Sequence, residues 1–182
     1  MIVLTTSSCS TSLFKVKPAD RLSAMPADAP AVDVGVATFR AAPLLTDEET
    51  QELFEANLQL AGLLPVRLEI THNGGEPLEI KRLKFRLQDD ANNQWKLISA
   101  KQAILRILKA NGVFLYNPHS RKTFEKEFRA YEFDTKTPLT RDERQRRALI
   151  IFLAPEKNPV GSPHGLVLSI EGLAQPVSLK LQ

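Results

Sequence analysis

A two-residue alternation of apolar and polar side chains recurs along this chain and limits its fold more than any other feature. Val66, Leu68 and Ile70 alternate with Arg67, Glu69 and Thr71. Leu166, Leu168 and Ile170 alternate with Val167, Ser169 and Glu171, and Val177, Leu179 and Leu181 alternate with polar residues. Successive side chains of a strand point to opposite faces, so this period marks half-buried strands. Val32, Val34 and Val36, interleaved with Asp33 and Gly35 ahead of Phe39, predict another strand over 32–41. Leu149 and Ile151 alternate with Ile150 and Phe152 in a run too apolar to be exposed on both faces.

The segments between these strands read as turns and helices. Asn73-Gly74-Gly75-Glu76-Pro77 supplies a reversing loop after a strand over 63–72. A strand over 78–88 changes apolar phase between Ile80 and Leu83, which a bulge there would produce. Trp95 and Leu97 sit on a short strand beyond the Asp89–Asn93 turn. Thr46 with Glu49, and Ser99 with Gln102, have the spacing of capping boxes. They open a helix over 47–59 and a second one carrying Ala100, Ala103, Ile104, Ile107 and Leu108, which Asn111-Gly112 closes. Phe124, Phe128 and Tyr131 fall on one helical face within 117–131, a stripe read as internal packing.

Short alternating strands joined by turn signals, without regular strand–helix alternation, argue against a parallel βαβ winding. They predict a mainly β fold: an immunoglobulin-like antiparallel β-sandwich over 32–182 with two or three inserted α-helices. The 182 residues suit one domain plus an appendage. Residues 1–31 hold Pro18, Pro26 and Pro30 among Ala and Asp without periodicity, and read as a flexible tether.

Composition removes whole classes of chemistry. One cysteine excludes an internal disulfide framework and a cysteine-based zinc cluster. His72, His119 and His164 lack metal-ligand spacing and read as surface residues, so no metal or cofactor is expected. No Gly-x-Ser-x-Gly elbow, phosphate-cradling glycine loop or run of about 18 apolar residues is present. No catalytic residue is assigned.

Charge is segregated. Residues 1–98 carry 10 Lys/Arg against 13 Asp/Glu, whereas residues 99–147 carry 12 against 6. Two groups in or beside the basic segment are candidate binding surfaces. Tyr116, Asn117, His119, Arg121 and Lys122 cluster at a connection, where sandwich domains often place binding residues. Arg141, Arg144, Arg146 and Arg147 concentrate four guanidinium groups before a strand, suited to carboxylate or phosphate partners. The opposing reading is a solubilising loop and a strand edge protected by charge. Interleaved acidic residues disfavour a nucleic-acid partner.

Ser7-Ser8-Cys9, preceded by Met1-Ile2-Val3-Leu4-Thr5-Thr6 and followed by a polar linker, resembles the lipobox of bacterial lipoproteins, whose cysteine is lipidated. A basic n-region is missing, which a start upstream of Met1 would supply. Leu64-Pro65-Val66-Arg67-Leu68-Glu69-Ile70-Thr71-His72-Asn73, and Arg141-Asp142-Glu143-Arg144 with Arg147-Ala148-Leu149-Ile150-Ile151-Phe152-Leu153-Ala154-Pro155, are similar to strands of immunoglobulin-like bacterial envelope domains. Together these stretches resemble small bacterial lipoproteins with such a domain. The resemblance implies a non-catalytic, envelope-anchored binding or structural module, held through Cys9, facing the periplasm from the outer membrane, and engaging a protein partner. The alternative is a cytoplasmic, soluble protein binding an anionic polymer through residues 99–147.

Overall fold

Alternating strands bury one face only by pairing with neighbours, and here every ladder is antiparallel. The computed structural model describes residues 15–110, 118–156, 161 and 163–181. The strands are β1 (Ala31–Asp33), β2 (Ala37–Pro43), β3 (Leu63–His72), β4 (Lys84–Gln88), β5 (Gln94–Ile98), β6 (Gln145–Leu153), β7 (Val167–Glu171) and β8 (Val177–Lys180). Helix α1 (Asp47–Phe54) lies between β2 and β3. Helices α2 (Ala100–Ala110) and α3 (Pro118–Arg129) lie between β5 and β6.

The mainly antiparallel β class is therefore correct, but the layout differs from two separate sandwich sheets. The strands form one sheet in the order β1-β2-β3-β6-β5-β4-β7-β8, curled until β1 and β8 meet. β5 causes the difference. Gln94 and Trp95 pair with β4, while Lys96, Leu97 and Ile98 pair with β6, so one short strand stitches the two halves into a nearly closed barrel.

Two apolar cores result. Phe39, Val66, Leu68, Ile70, Phe85, Leu87, Trp95, Ile150, Phe152, Leu168, Ile170 and Leu179 fill the interior. Leu63, Leu149, Ile151 and Leu153 point outward from β3 and β6 and are buried with Phe54 of α1, Ile104 and Ile107 of α2, and Phe124 and Phe128 of α3. The doubly apolar β6 run is explained by this arrangement: one face lines the barrel and the other carries the helices.

Local sequence accounts for the element ends. The Thr46 hydroxyl accepts from the Glu49 amide at 3.2 Å, while Glu49 Oε2 accepts from the Thr46 amide at 3.3 Å, completing the predicted box. α1 stops at Phe54 because Glu55 turns left-handed (φ 48°), yet Leu58 and Ala61 still reach the same core. The predicted strand 32–41 is a hairpin, β1–β2. Asp33 Oδ1 accepts from the Gly35 amide at 2.7 Å, and Gly35 takes φ 81°. The phase change near residue 80 comes from a 3-10 turn, Ile80–Arg82, rather than a bulge.

Residues 15–30, read from composition as tether, run as a strap across the helical layer and the outer face of β3. Val16, Leu22 and Met25 are buried. The Lys17 amide donates to the Leu53 carbonyl at 2.8 Å, and Tyr131 Oη donates to the Lys17 and Pro18 carbonyls at 2.7 and 3.0 Å. Proline presets an extended path, so the strap needs anchors from neighbours rather than a ladder of its own.

Gly172 supplies a stringent test of the barrel end. A Cβ there would lie 2.2 Å from the Arg82 carbonyl oxygen at φ 93°, whereas one at Gly35 (φ 81°) would meet nothing within 4 Å. Gly172→Ala should cost about 3 kcal/mol or more, and Gly35→Ala about 1 kcal/mol, in urea unfolding.

Candidate functional site

The outer face of β2, β3 and β6 carries cross-strand rows set by the ladder register. Arg40, Glu69 and Arg147 form one row, and Ala42, Arg67 and Leu149 the next. Arg40 Nη1 lies 3.5 Å from Glu69 Oε1, and its Nη2 donates to the Pro26 carbonyl at 2.7 Å. Strap residues 23–26 thus lie over this charged face.

Arg67 is the unusual member. An outward-pointing strand residue is normally solvated, yet its side chain is only 7% exposed. Its Nη1 donates to Ser23 Oγ at 2.6 Å and reaches the Ala24 carbonyl at 3.4 Å. Its Nη2 lies 3.5 Å from Glu49 Oε1, and its Nε is buried without a partner. Burial pulls the guanidinium pKa down, Glu49 pushes it partly back, and Arg147 adds to the lowering. Beside Arg67 opens a cavity of about 450 Å³ between the strap, the start of α1 and the end of β8. Glu49 and Arg67 line it with Asp28 and Lys180, and Pro30, Pro43 and Leu181 form apolar wall. That volume falls within the range of small-molecule sites, about 300–1,000 Å³.

The residues singled out from sequence take different places. Cys9, Tyr116 and Asn117 lie outside the described residues, as does the Asn111-Gly112 helix stop. His119, Arg121 and Lys122 are exposed on α3, and Arg121 Nε donates to Glu125 at 2.9 Å. Arg141, Arg144 and Arg147 are exposed around the start of β6. Arg146 separates from its neighbours. It points toward the barrel end, where Nη1 donates to the Asp134 and Thr137 carbonyls at 2.7 Å each, and Nε and Nη2 grip Glu143 at 2.8 and 2.6 Å. It pins the 133–143 segment, whose Phe133 and Leu139 plug the barrel interior.

His72 corrects the surface expectation. It is buried at the end of β3, with Nε2 3.0 Å from the Glu76 carbonyl oxygen. Among the described residues, no three His, Cys, Asp or Glu are grouped to hold a metal. No helix of the described residues is long and apolar enough to cross a membrane.

The cavity is hidden in the sequence because Arg67 and Lys180 come together only through the closing of the barrel. One signal was present: Leu63 and Pro65 share the outward face of β3 with Arg67, so that face is apolar where it begins.

The Arg146 staple can be separated from the neighbouring arginines. Arg146→Ala should lose about 2–3 kcal/mol in chemical denaturation, and Arg144→Ala less than about 0.5 kcal/mol. The Arg146 bond holds Glu143 below the usual carboxylate range, and hydrogen bonds from Thr137 and the Lys136 amide do the same for Asp134. Carboxylates with depressed folded pKa values add stability above their unfolded pKa, and that stability is lost as pH falls through the folded value. Wild type should therefore lose stability below about pH 4, and Arg146→Ala should lose less over the same window. A parallel acid slope in both proteins would contradict this.

No family model matches the chain, and no curated protein or solved structure is significantly similar to it.

Proposed function

We propose that this protein is a non-catalytic, envelope-anchored lipoprotein whose barrel serves as a binding module for a partner, attached through Cys9. The observation that supports the reading is the mooring of the N-terminal strap. The Lys15 amide donates to Glu55 at 3.0 Å, Lys17 Nζ pairs with Glu52 at 2.9 Å, and Tyr131 clamps the next two carbonyls. A pull applied ahead of Lys15 passes directly into the helical layer. Five residues lie between Cys9 and Lys15, so the six-residue step spans about 20 Å at full extension. An anchor at Cys9 would hold the barrel close to its membrane with the helical layer leading.

A second reading is binding of an anionic polymer through residues 99–147. It is favoured by Lys101 and Lys109 of α2 and Lys122, Lys126 and Arg129 of α3, all exposed. Surface cations of this kind bind polyanions with strong salt dependence.

Expression in a bacterial host from the gene's own start should give a membrane-fraction protein whose intact mass carries acyl chains, and Cys9→Ser should abolish both. Unmodified Cys9 in a wholly soluble fraction contradicts the anchor. Elution of the wild type from heparin well above physiological salt, reduced by Lys122→Ala with Lys126→Ala, would favour the second reading.

A further inference from the structure

The cavity at the foot of the barrel has chemistry that anchoring does not explain. Arg67 occupies an outward position beside Ala42 and Leu149, where an aliphatic residue would continue the apolar layer beneath the helices. Burying a guanidinium there is unfavourable unless its donors are well matched. They are not. Nη1 is held by Ser23, but the edge formed by Nε and Nη2 has only Glu49 at 3.5 Å. Glu49 is itself committed elsewhere, since its Oε2 caps the Leu45 and Thr46 amides. An edge of Nε and Nη2 is the donor pair that a carboxylate or phosphate takes in two parallel bonds, and because Nε is buried here a ligand reaches it only by displacing what covers that edge.

We infer that this cavity is a binding site for a small ligand with an anionic head, taken by Arg67, and a short apolar body. Lys180 is exposed and lines the same cavity, adding a second cation, and Pro30, Pro43 and Leu181 offer apolar wall for the body. Asp28 and Glu49 also line it, so the site has no net charge and favours one compact anionic head over a polyanion. Ligand binding would replace the long Glu49 contact with a closer one on the same guanidinium edge. The strap forms one wall through Pro26 and Asp28, so binding should also slow hydrogen exchange in residues 23–30. The inference stands apart from the lipid anchor and survives or fails without it.

The test follows the Arg67 Nε–H resonance by NMR in the full chain during titration with acetate, hexanoate and inorganic phosphate, with chloride as the ionic-strength control. Saturable shifts with hexanoate binding at least roughly tenfold tighter than acetate are expected, from apolar contact along the body. If phosphate instead saturates most tightly, the site holds with a phosphate-headed ligand. Lys180→Gln, a rim change, should weaken binding about tenfold and leave unfolding unchanged. Arg67→Met should abolish binding while keeping the fold, at the cost of the Ser23 and Ala24 contacts to the strap, because Glu49 keeps its helix-capping bonds. No saturable response beyond that to chloride would overturn the inference, as would binding unaltered in both variants. Loss of fold in Arg67→Met would assign Arg67 a structural role, and the Lys180→Gln result then decides alone.

Discussion

The pairing of β3 with β6 holds every other element of this fold in place. Nine register pairs, from Leu63 with Leu153 to Thr71 with Gln145, join the two longest strands. Their inner faces supply Val66, Leu68, Ile70, Ile150 and Phe152 to the barrel, and their outer faces supply Leu63, Leu149, Ile151 and Leu153 to the helical layer. Each fully buried aliphatic side chain contributes about 1.5–3 kcal/mol of transfer free energy. A single ladder therefore holds two cores together, and slipping it by one residue would exchange them. The helices need that outer face: α1 has eight residues and α2 eleven, lengths that are marginal alone.

Sequence made the strands and helices of this scaffold legible where local chemistry and tertiary demand agreed. The Leu149–Leu153 run announced a strand covered on both sides, and Phe124, Phe128 and Tyr131 announced a packed helical face. In the structure Phe54 lies 5.0 Å from Phe128 and 4.9 Å from Tyr131, ring centre to ring centre. The misreadings have specific causes. Valines at 32, 34 and 36 keep a period of two through a turn, so the Asp33–Gly35 signal inside it was hidden by the pattern. The strap lacks periodicity because its order comes from Tyr131, Arg40 and Arg67, all remote in sequence. Closure into a barrel depended on β5 dividing its partners, which no alternation in Gln94–Ile98 reveals. Neither does any spacing bring Arg67 near Lys180.

The same contacts join the barrel, the strap and the cavity. Arg67 and Arg40 project from the β3 and β2 rows and hold the strap from below, through Ser23 and the Pro26 carbonyl. The strap in turn walls the cavity at one end and is clamped by Tyr131 at the other. Burial pushes the Tyr131 hydroxyl pKa up to about 12, with Asp20 adding to the shift, so the clamp stays protonated at physiological pH. An anchored N-terminus and an occupied cavity would both act on this one segment. Arg147 lies on the same outer face, in the row of Arg40 and Glu69, whereas Arg146 turns away to serve the barrel plug.

Native-state hydrogen exchange can decide whether one two-sided ladder holds both cores. Amides of β3 and β6 should be the slowest in the protein and exchange only at the free energy of global unfolding, so that helices and barrel are lost in one cooperative event. Amides of β3 and β6 that exchange faster than those of β7 and β8, with the far side of the barrel still protected, would contradict it.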